Sequence, residues 1–141
     1  MKLVILCIAF TSFLLFSSCG DDSSTNSSLT IYKYSGYDST GNKIISGYLW
    51  IDSVDSTVVK GRWDFKIIHN EDNLGPQIGK GNFDGVKDSQ GNMSLNLNPE
   101  WIDNNVFLIG SFNNSQYRGD WNYVGYPGVI SAGSFEAHQD H

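Results

Sequence analysis

Val58-Val59-Lys60-Gly61-Arg62-Trp63-Asp64-Phe65-Lys66-Ile67 decides the fold. Val59, Gly61, Trp63, Phe65 and Ile67 occupy alternate positions, and Lys60, Arg62, Asp64 and Lys66 fill the places between them. A period of two puts these sets on opposite faces of a β-strand, one against a core and the other in water. Two later stretches repeat the pattern. Met93, Leu95 and Leu97 alternate with Asn92, Ser94, Asn96 and Asn98. Tyr117, Gly119, Trp121 and Tyr123 alternate with Arg118, Asp120 and Asn122.

Working outward, clusters of turn-forming residues recur at short spacing. They lie at Asp38 to Asn42, Asp52 to Ser56, Asn70 to Pro76, Asp88 to Asn92, Asn98 to Asn105, Asn113 to Ser115 and Tyr126 to Gly128. Such residues supply positive φ angles and local side-chain bonds. Between them lie eight segments of strand length, at about 29–37, 43–51, 57–69, 77–86, 92–98, 105–113, 116–124 and 129–137. No run has helical periodicity. Regular short strands on short turns predict an antiparallel meander.

Six of the eight segments carry a Gly-x-(large apolar) unit: Gly47-x-Leu49, Gly61-x-Trp63, Gly81-x-Phe83, Gly110-x-Phe112, Gly119-x-Trp121 and Gly133-x-Phe135. Spacing by two places both residues on the inward face. Glycine weakens a strand, so its recurrence needs a cause. A small closed barrel supplies one, because inward glycines let strands bend and make room for large neighbours. The expected fold is all-β, an eight-stranded antiparallel up-and-down barrel. In pattern, Leu29 to Ala137 resembles the avidin and lipocalin (calycin) group of barrels. That resemblance implies a lumen open at one end onto a small-ligand cavity, and it carries over no binding residue.

The predicted lumen is nearly all apolar, with Trp63, Phe65, Ile67, Phe83, Leu95, Leu97, Leu108, Phe112, Trp121 and Phe135. Its polar candidates are Tyr117, Tyr123 and Ser131. Such a lining disfavours a polar, biotin-like ligand. Two readings stand. One is a pocket for an apolar small molecule on Trp63, Phe83, Phe112 and Trp121, oriented by Tyr117, Tyr123 and Ser131. The other is a filled core in which the rings complement the glycines.

On the outer face, Ile44, Tyr48 and Trp50 of the second segment and Ile130 and Ala132 of the eighth are expected to point outward. The first strand would lie between these two in a closed meander. Tyr48, Trp50 and Ile130 would then form an apolar patch for a partner or a dimer, with a smaller patch at Phe107 and Ile109. Asn98-Pro99-Glu100-Trp101 suits one helical turn, capped by Asn98 with Pro99 first, that folds Trp101 over a barrel mouth.

The start of the chain addresses location. Lys2 precedes an apolar run from Leu3 to Phe16, then Ser17-Ser18-Cys19-Gly20-Asp21-Asp22. The run has the length of a signal h-region and is shorter than the ~20 residues that span a bilayer. It resembles the lipobox of bacterial lipoproteins, with Phe16 where that family usually has Leu. The resemblance implies lipidation of Cys19, cleavage before it and anchoring to the membrane by acyl chains such as palmitate. Asp21-Asp22 resemble a signal for export to the outer surface, so the expected location is the outer membrane, on its periplasmic or surface face. The expected organisation is a signal peptide at 1–18, the lipidated Cys and a polar tether at 19–28, the barrel at 29–138 and a tail at 139–141.

Cys7 lies in the signal, so the mature domain has neither a disulfide nor a thiolate metal site. The whole chain carries a formal charge of -6, and without Lys2 the mature part carries -7. With a pI near 4.7, nucleic acid is a poor partner. His138-Gln139-Asp140-His141 sits at a free terminus with nothing to fix a metal. The carboxylate pairs Asp52 with Asp55 and Asp84 with Asp88 lie in or near turns. No phosphate loop, nucleophile elbow or metalloprotease helix occurs, and nothing calls for a cofactor. The expectation is a non-enzymatic binding module for a small apolar ligand or a protein. The alternatives are a structural or envelope-assembly lipoprotein with a filled barrel, and an inhibitor of a secreted hydrolase.

Overall fold

The computed structural model describes residues 29–54, 57–69, 72–113, 115–126 and 128–141. Cys19, the signal and the tether lie outside these residues. Eight strands form one closed antiparallel barrel in chain order, with β1 returning to β8. They are β1 (Thr30–Tyr37), β2 (Lys43–Val54), β3 (Val58–Ile67), β4 (Gly79–Lys87), β5 (Asn92–Asn96), β6 (Asn105–Asn113), β7 (Gln116–Gly125) and β8 (Gly128–Gln139). The last strand thus passes the expected boundary at 138, and the Asp140 N–H still bonds the Ile31 carbonyl.

The alternation read in residues 58–67 orders this wall. Val59, Trp63 and Phe65 are buried while Lys60, Arg62, Asp64 and Lys66 are exposed. Their partners on β2 follow suit, since Leu49 opposes Trp63 and is buried, whereas Tyr48 opposes Asp64. Ile67 keeps its inward register opposite Ile45 but reaches the rim, where it is 41% exposed. Ile44 corrects the outward expectation: it is 1% exposed. The β1–β2 register slips beside it, from Gly36 opposite Ile45 to Tyr37 opposite Lys43. A bulge of this kind leaves an extra residue whose side chain need not follow the alternation. Here Ile44 joins Ile45 in the core.

Two hairpin turns share one construction. Asp38 Oδ1 accepts the Thr40 and Asn42 N–H groups, both at 2.8 Å. Asp88 Oδ1 accepts those of Gln90 and Asn92, again both at 2.8 Å. Gly41 and Gly91 take φ of 88° and 86° in these turns, the left-handed region that glycine enters without steric cost. The hydrogen bonds hold both carboxyls below their ordinary pKa, Asp38 at about 2.

Up-and-down order gives the barrel two distinct ends. The first and last strand residues, Thr30 and Gln139, lie at one end, here called proximal. The β1–β2, β3–β4, β5–β6 and β7–β8 connections lie at the other, the distal end.

Candidate functional site

An eight-stranded barrel is just wide enough for side chains to fill, and inside this one buried rings pack on one another. Tyr34 stacks on Phe65 at 4.0 Å between centroids and lies 5.8 Å from Phe135. Tyr117 meets Phe135 edge-on at 4.7 Å. The glycines supply the space. A Cβ on Gly61 would lie 2.5 Å from the Phe83 ring, and one on Gly81 would lie 3.0 Å from Trp63 Nε1. Trp63, Phe83, Tyr117 and Trp121 are all at most 3% exposed. Phe112 is half-buried at the proximal end, between Tyr32 and Tyr117, with Lys87 Nζ 4.8 Å from its ring centre.

The polar groups expected to orient a ligand have partners within the chain. Tyr117 Oη donates to the Leu108 carbonyl at 2.6 Å and also lies 3.1 Å from the Met93 carbonyl. Tyr123 Oη donates to Asn104 Oδ1, and Ser131 Oγ donates to the Asn73 carbonyl. Both bonds hold the distal cap. The segment around a short 3-10 turn, Gly75–Gln77, lies over that mouth with Leu74 and Gln77 buried. A Cβ on Gly75 would lie 2.5 Å from the Tyr123 ring. This cap corrects the expectation for Trp101, which is 58% exposed. Asn98 to Trp101 closes a single turn, with the Trp101 N–H on the Asn98 carbonyl at 3.1 Å, and forms no helix.

The two indoles act alike. Trp63, on β3, crosses Gly81 of β4 and donates to the Leu97 carbonyl at 2.8 Å. Trp121, on β7, crosses Gly133 of β8 and donates to the Tyr37 carbonyl at 2.8 Å. Each spans a place where the wall parts. Among the described residues, β4 pairs with β5 only from Asp84 to Lys87. Likewise β8 pairs with β1 only from Ser134 to Gln139. A buried indole N–H left without an acceptor would cost about 1–3 kcal/mol, so these bonds fix both rings across the openings.

On the outer wall, Tyr48 and Trp50 lie together, 5.8 Å apart and tilted. The register separates them from Ile130. Tyr48 opposes Lys33, which opposes His138. Ile130 stands eight residues from His138 along β8, about 26 Å at the rise of a strand. The expected three-residue patch therefore does not form. Trp50 instead lines a groove of ≈ 350 Å³ with Arg62, Asp64, Lys80 and Asn82. A second groove of ≈ 170 Å³ shares Trp63, Lys80, Gly81 and Asn82 and runs on to Trp101. Arg62 Nη2 donates to Asp52 Oδ1 at 3.3 Å, and Lys60 lies 3.6 Å from Asp84, so those carboxylates are in exposed ion pairs. Compared with protein-family models, curated proteins and solved structures, the chain matches none.

Proposed function

We propose that the chain is a lipid-anchored bacterial envelope lipoprotein whose barrel is a non-enzymatic binding module for a protein partner, held on its outer wall toward the distal end. Cys19 would carry the acyl chains, and the polar residues to Ser28 would form the spacer. One observation favours the wall over the lumen: Tyr117, Tyr123 and Ser131, the polar groups expected to orient a ligand, are engaged by Leu108, Asn104 and Asn73, while the Tyr34 hydroxyl is buried among the rings without a partner. The likeness to avidins and lipocalins then extends to the plan of the barrel and not to carriage of a small molecule. The linked Trp50–Trp101 grooves open on the β3–β4 side of the wall, and the anchored terminus enters at the proximal end. That arrangement faces a binding surface away from the membrane.

Two measurements test this reading. Labelled palmitate is expected to enter the wild-type chain and to be lost in Cys19→Ser, which should leave the membrane fraction. Equal membrane association of the two would contradict the anchor. Native mass spectrometry of the chain purified from its source is expected to show no bound small molecule beyond the lipid anchor. A reproducible added mass that leaves on unfolding would return the lumen to the ligand reading.

A further inference from the structure

We infer that the edge of β4 from Gly79 to Asn82 is a strand-addition site for an extended, uncharged segment of that partner, an inference that rests on the wall-binding reading above. The argument is an account of backbone groups, all of which need partners or water. The Lys87 N–H bonds the Thr57 carbonyl, which makes 57 and 87 a hydrogen-bonded pair of the β3–β4 ladder. In an antiparallel ladder, alternate residues bond to opposite sides. Lys80, Asn82, Asp84 and Val86 therefore direct their N–H and C=O groups away from β3, toward β5. The Asp88 N–H on the Asn92 carbonyl gives the same parity from the other hairpin.

Asp84 and Val86 meet Asn96 and Ser94. In the same register Asn82 would meet Asn98, but Asn98 is engaged elsewhere. Its N–H bonds Asn96 Oδ1 at 3.0 Å, and its carbonyl accepts the Trp101 N–H at 3.1 Å. Pro99 then has no N–H to offer. Lys80 and Asn82 are left with an exposed edge of two donors and two acceptors, for which no described strand is a partner. Unpaired edges of this kind accept an added strand.

The surroundings define the occupant. The opening lies between β4 and the Asn98–Trp101 turn of the same chain, where Lys80, Gly81, Asn82 and Trp101 line a groove of ≈ 170 Å³, so an added segment would run between two walls of one barrel. Its floor is the Trp63 indole, passing beneath Gly81 to reach Leu97. The added residue that faces inward must therefore be small, and its two neighbours face outward. Lys80 stands opposite Asp64 and Arg62 is paired with Asp52, which leaves Glu100 as the remaining charge along the grooves, so the lining offers no excess of cations and suits a segment with little net charge. Trp50 and Trp101 flank it and favour larger apolar neighbours on either side of the small residue.

The test uses the full chain in detergent micelles and a phage-displayed heptapeptide library. Enriched sequences are expected to place Gly, Ala or Ser between two larger uncharged residues. A synthetic enriched peptide should bind Asn82→Pro more weakly by about tenfold or more, because that change removes an outward donor and no bond of the barrel. It should bind Lys80→Ala within about twofold of wild type, since the main chain makes the contact. On binding, the Lys80 and Asn82 amides should gain protection from hydrogen exchange, a readout that needs no variant. Equal affinity for Asn82→Pro, or unchanged exchange at both amides, would overturn the inference. So would failure to enrich any peptide, whether or not an oligosaccharide array bound the Trp50–Trp101 wall. Lipidation at Cys19 and the mass of the purified chain are measured separately, so those results stand or fall on their own.

Discussion

Two openings in the wall are sealed from within by the same device, an indole laid across a glycine, yet they differ at the surface. At the β8–β1 opening, β8 carries a register shift against β7 beside Val124, and Ser131 is tied to the distal cap. Bulges and covering loops are the usual ways to blunt an exposed edge. At the β4–β5 opening, the β3–β4 register runs unbroken from Val58 to Phe65, and no cap residue bonds the β4 edge among the described residues. The comparison teaches that a barrel seals its core and its edges separately. Here both openings are sealed inside and both carry a groove outside, but the β8 edge beside the ≈ 440 Å³ groove at Asp38, Asp120 and Ala132 is bulged and tied to the cap, whereas the β4 edge is regular.

The strongest test of this comparison is a methyl group. A Cβ on Gly133 would lie 2.0 Å from the Tyr37 carbonyl and 2.6 Å from Trp121 Nε1, whereas one on Gly81 meets only the edge of Trp63 at 3.0 Å. Gly133→Ala is expected to cost about 3 kcal/mol or more and Gly81→Ala about 1 kcal/mol, read by urea denaturation. Equal costs would mean that the two openings are packed alike. Next come Trp63→Phe and Trp121→Phe, each of which removes an indole donor from a carbonyl. Both should cost about 1–3 kcal/mol and add in the double variant. A marked difference between them would break the equivalence of the two indoles.

A smaller pair contrasts two buried phenols. Tyr117 Oη has two carbonyls nearby, whereas Tyr34 Oη is buried without a hydrogen-bond partner. Burial raises the pKa of both, so both stay neutral. Tyr117→Phe should lose about 1 kcal/mol, and Tyr34→Phe should be neutral or gain up to about 1 kcal/mol by removing an unmatched hydroxyl. Loss in both would show that Tyr34 is bonded in solution. The least effect is expected in acid. Hydrogen bonds lower the Asp38 and Asp88 pKa values in the folded protein. Their contribution is then fully present above the unfolded value near 4 and is lost as pH falls through each folded value, about 2 for Asp38. An NMR titration should find the Asp38 midpoint near 2, and an ordinary midpoint would remove this contribution.

The wall was legible because its signal is local. Alternation from Val59 to Phe65, and again around Leu95 and Trp121, follows from the pleat alone, and the Gly-x-(large apolar) units marked the inward face. The features that set the surface were not legible, because each depends on distant partners. Ile44 turns inward where the β1–β2 register slips. Leu74 and Gln77 form the cap without any periodicity to announce it. Ile130 and Tyr48 belong to strands that share β1 as a neighbour, but barrel stagger places them at different heights. Pro99 suits the start of a helix as well as it suits the end of a ladder, and only the engagement of Asn98 by Asn96 and Trp101 decides between them. That ambiguity hid the open edge.

The most direct measurement is residue-resolved amide hydrogen exchange on the free protein. The account predicts alternation along β4, with Lys80 and Asn82 exchanging fast while Gly81 and Phe83, bonded to β3, are protected. Uniform protection from Lys80 through Phe83 would mean that the β4–β5 ladder closes, and the open edge would not exist.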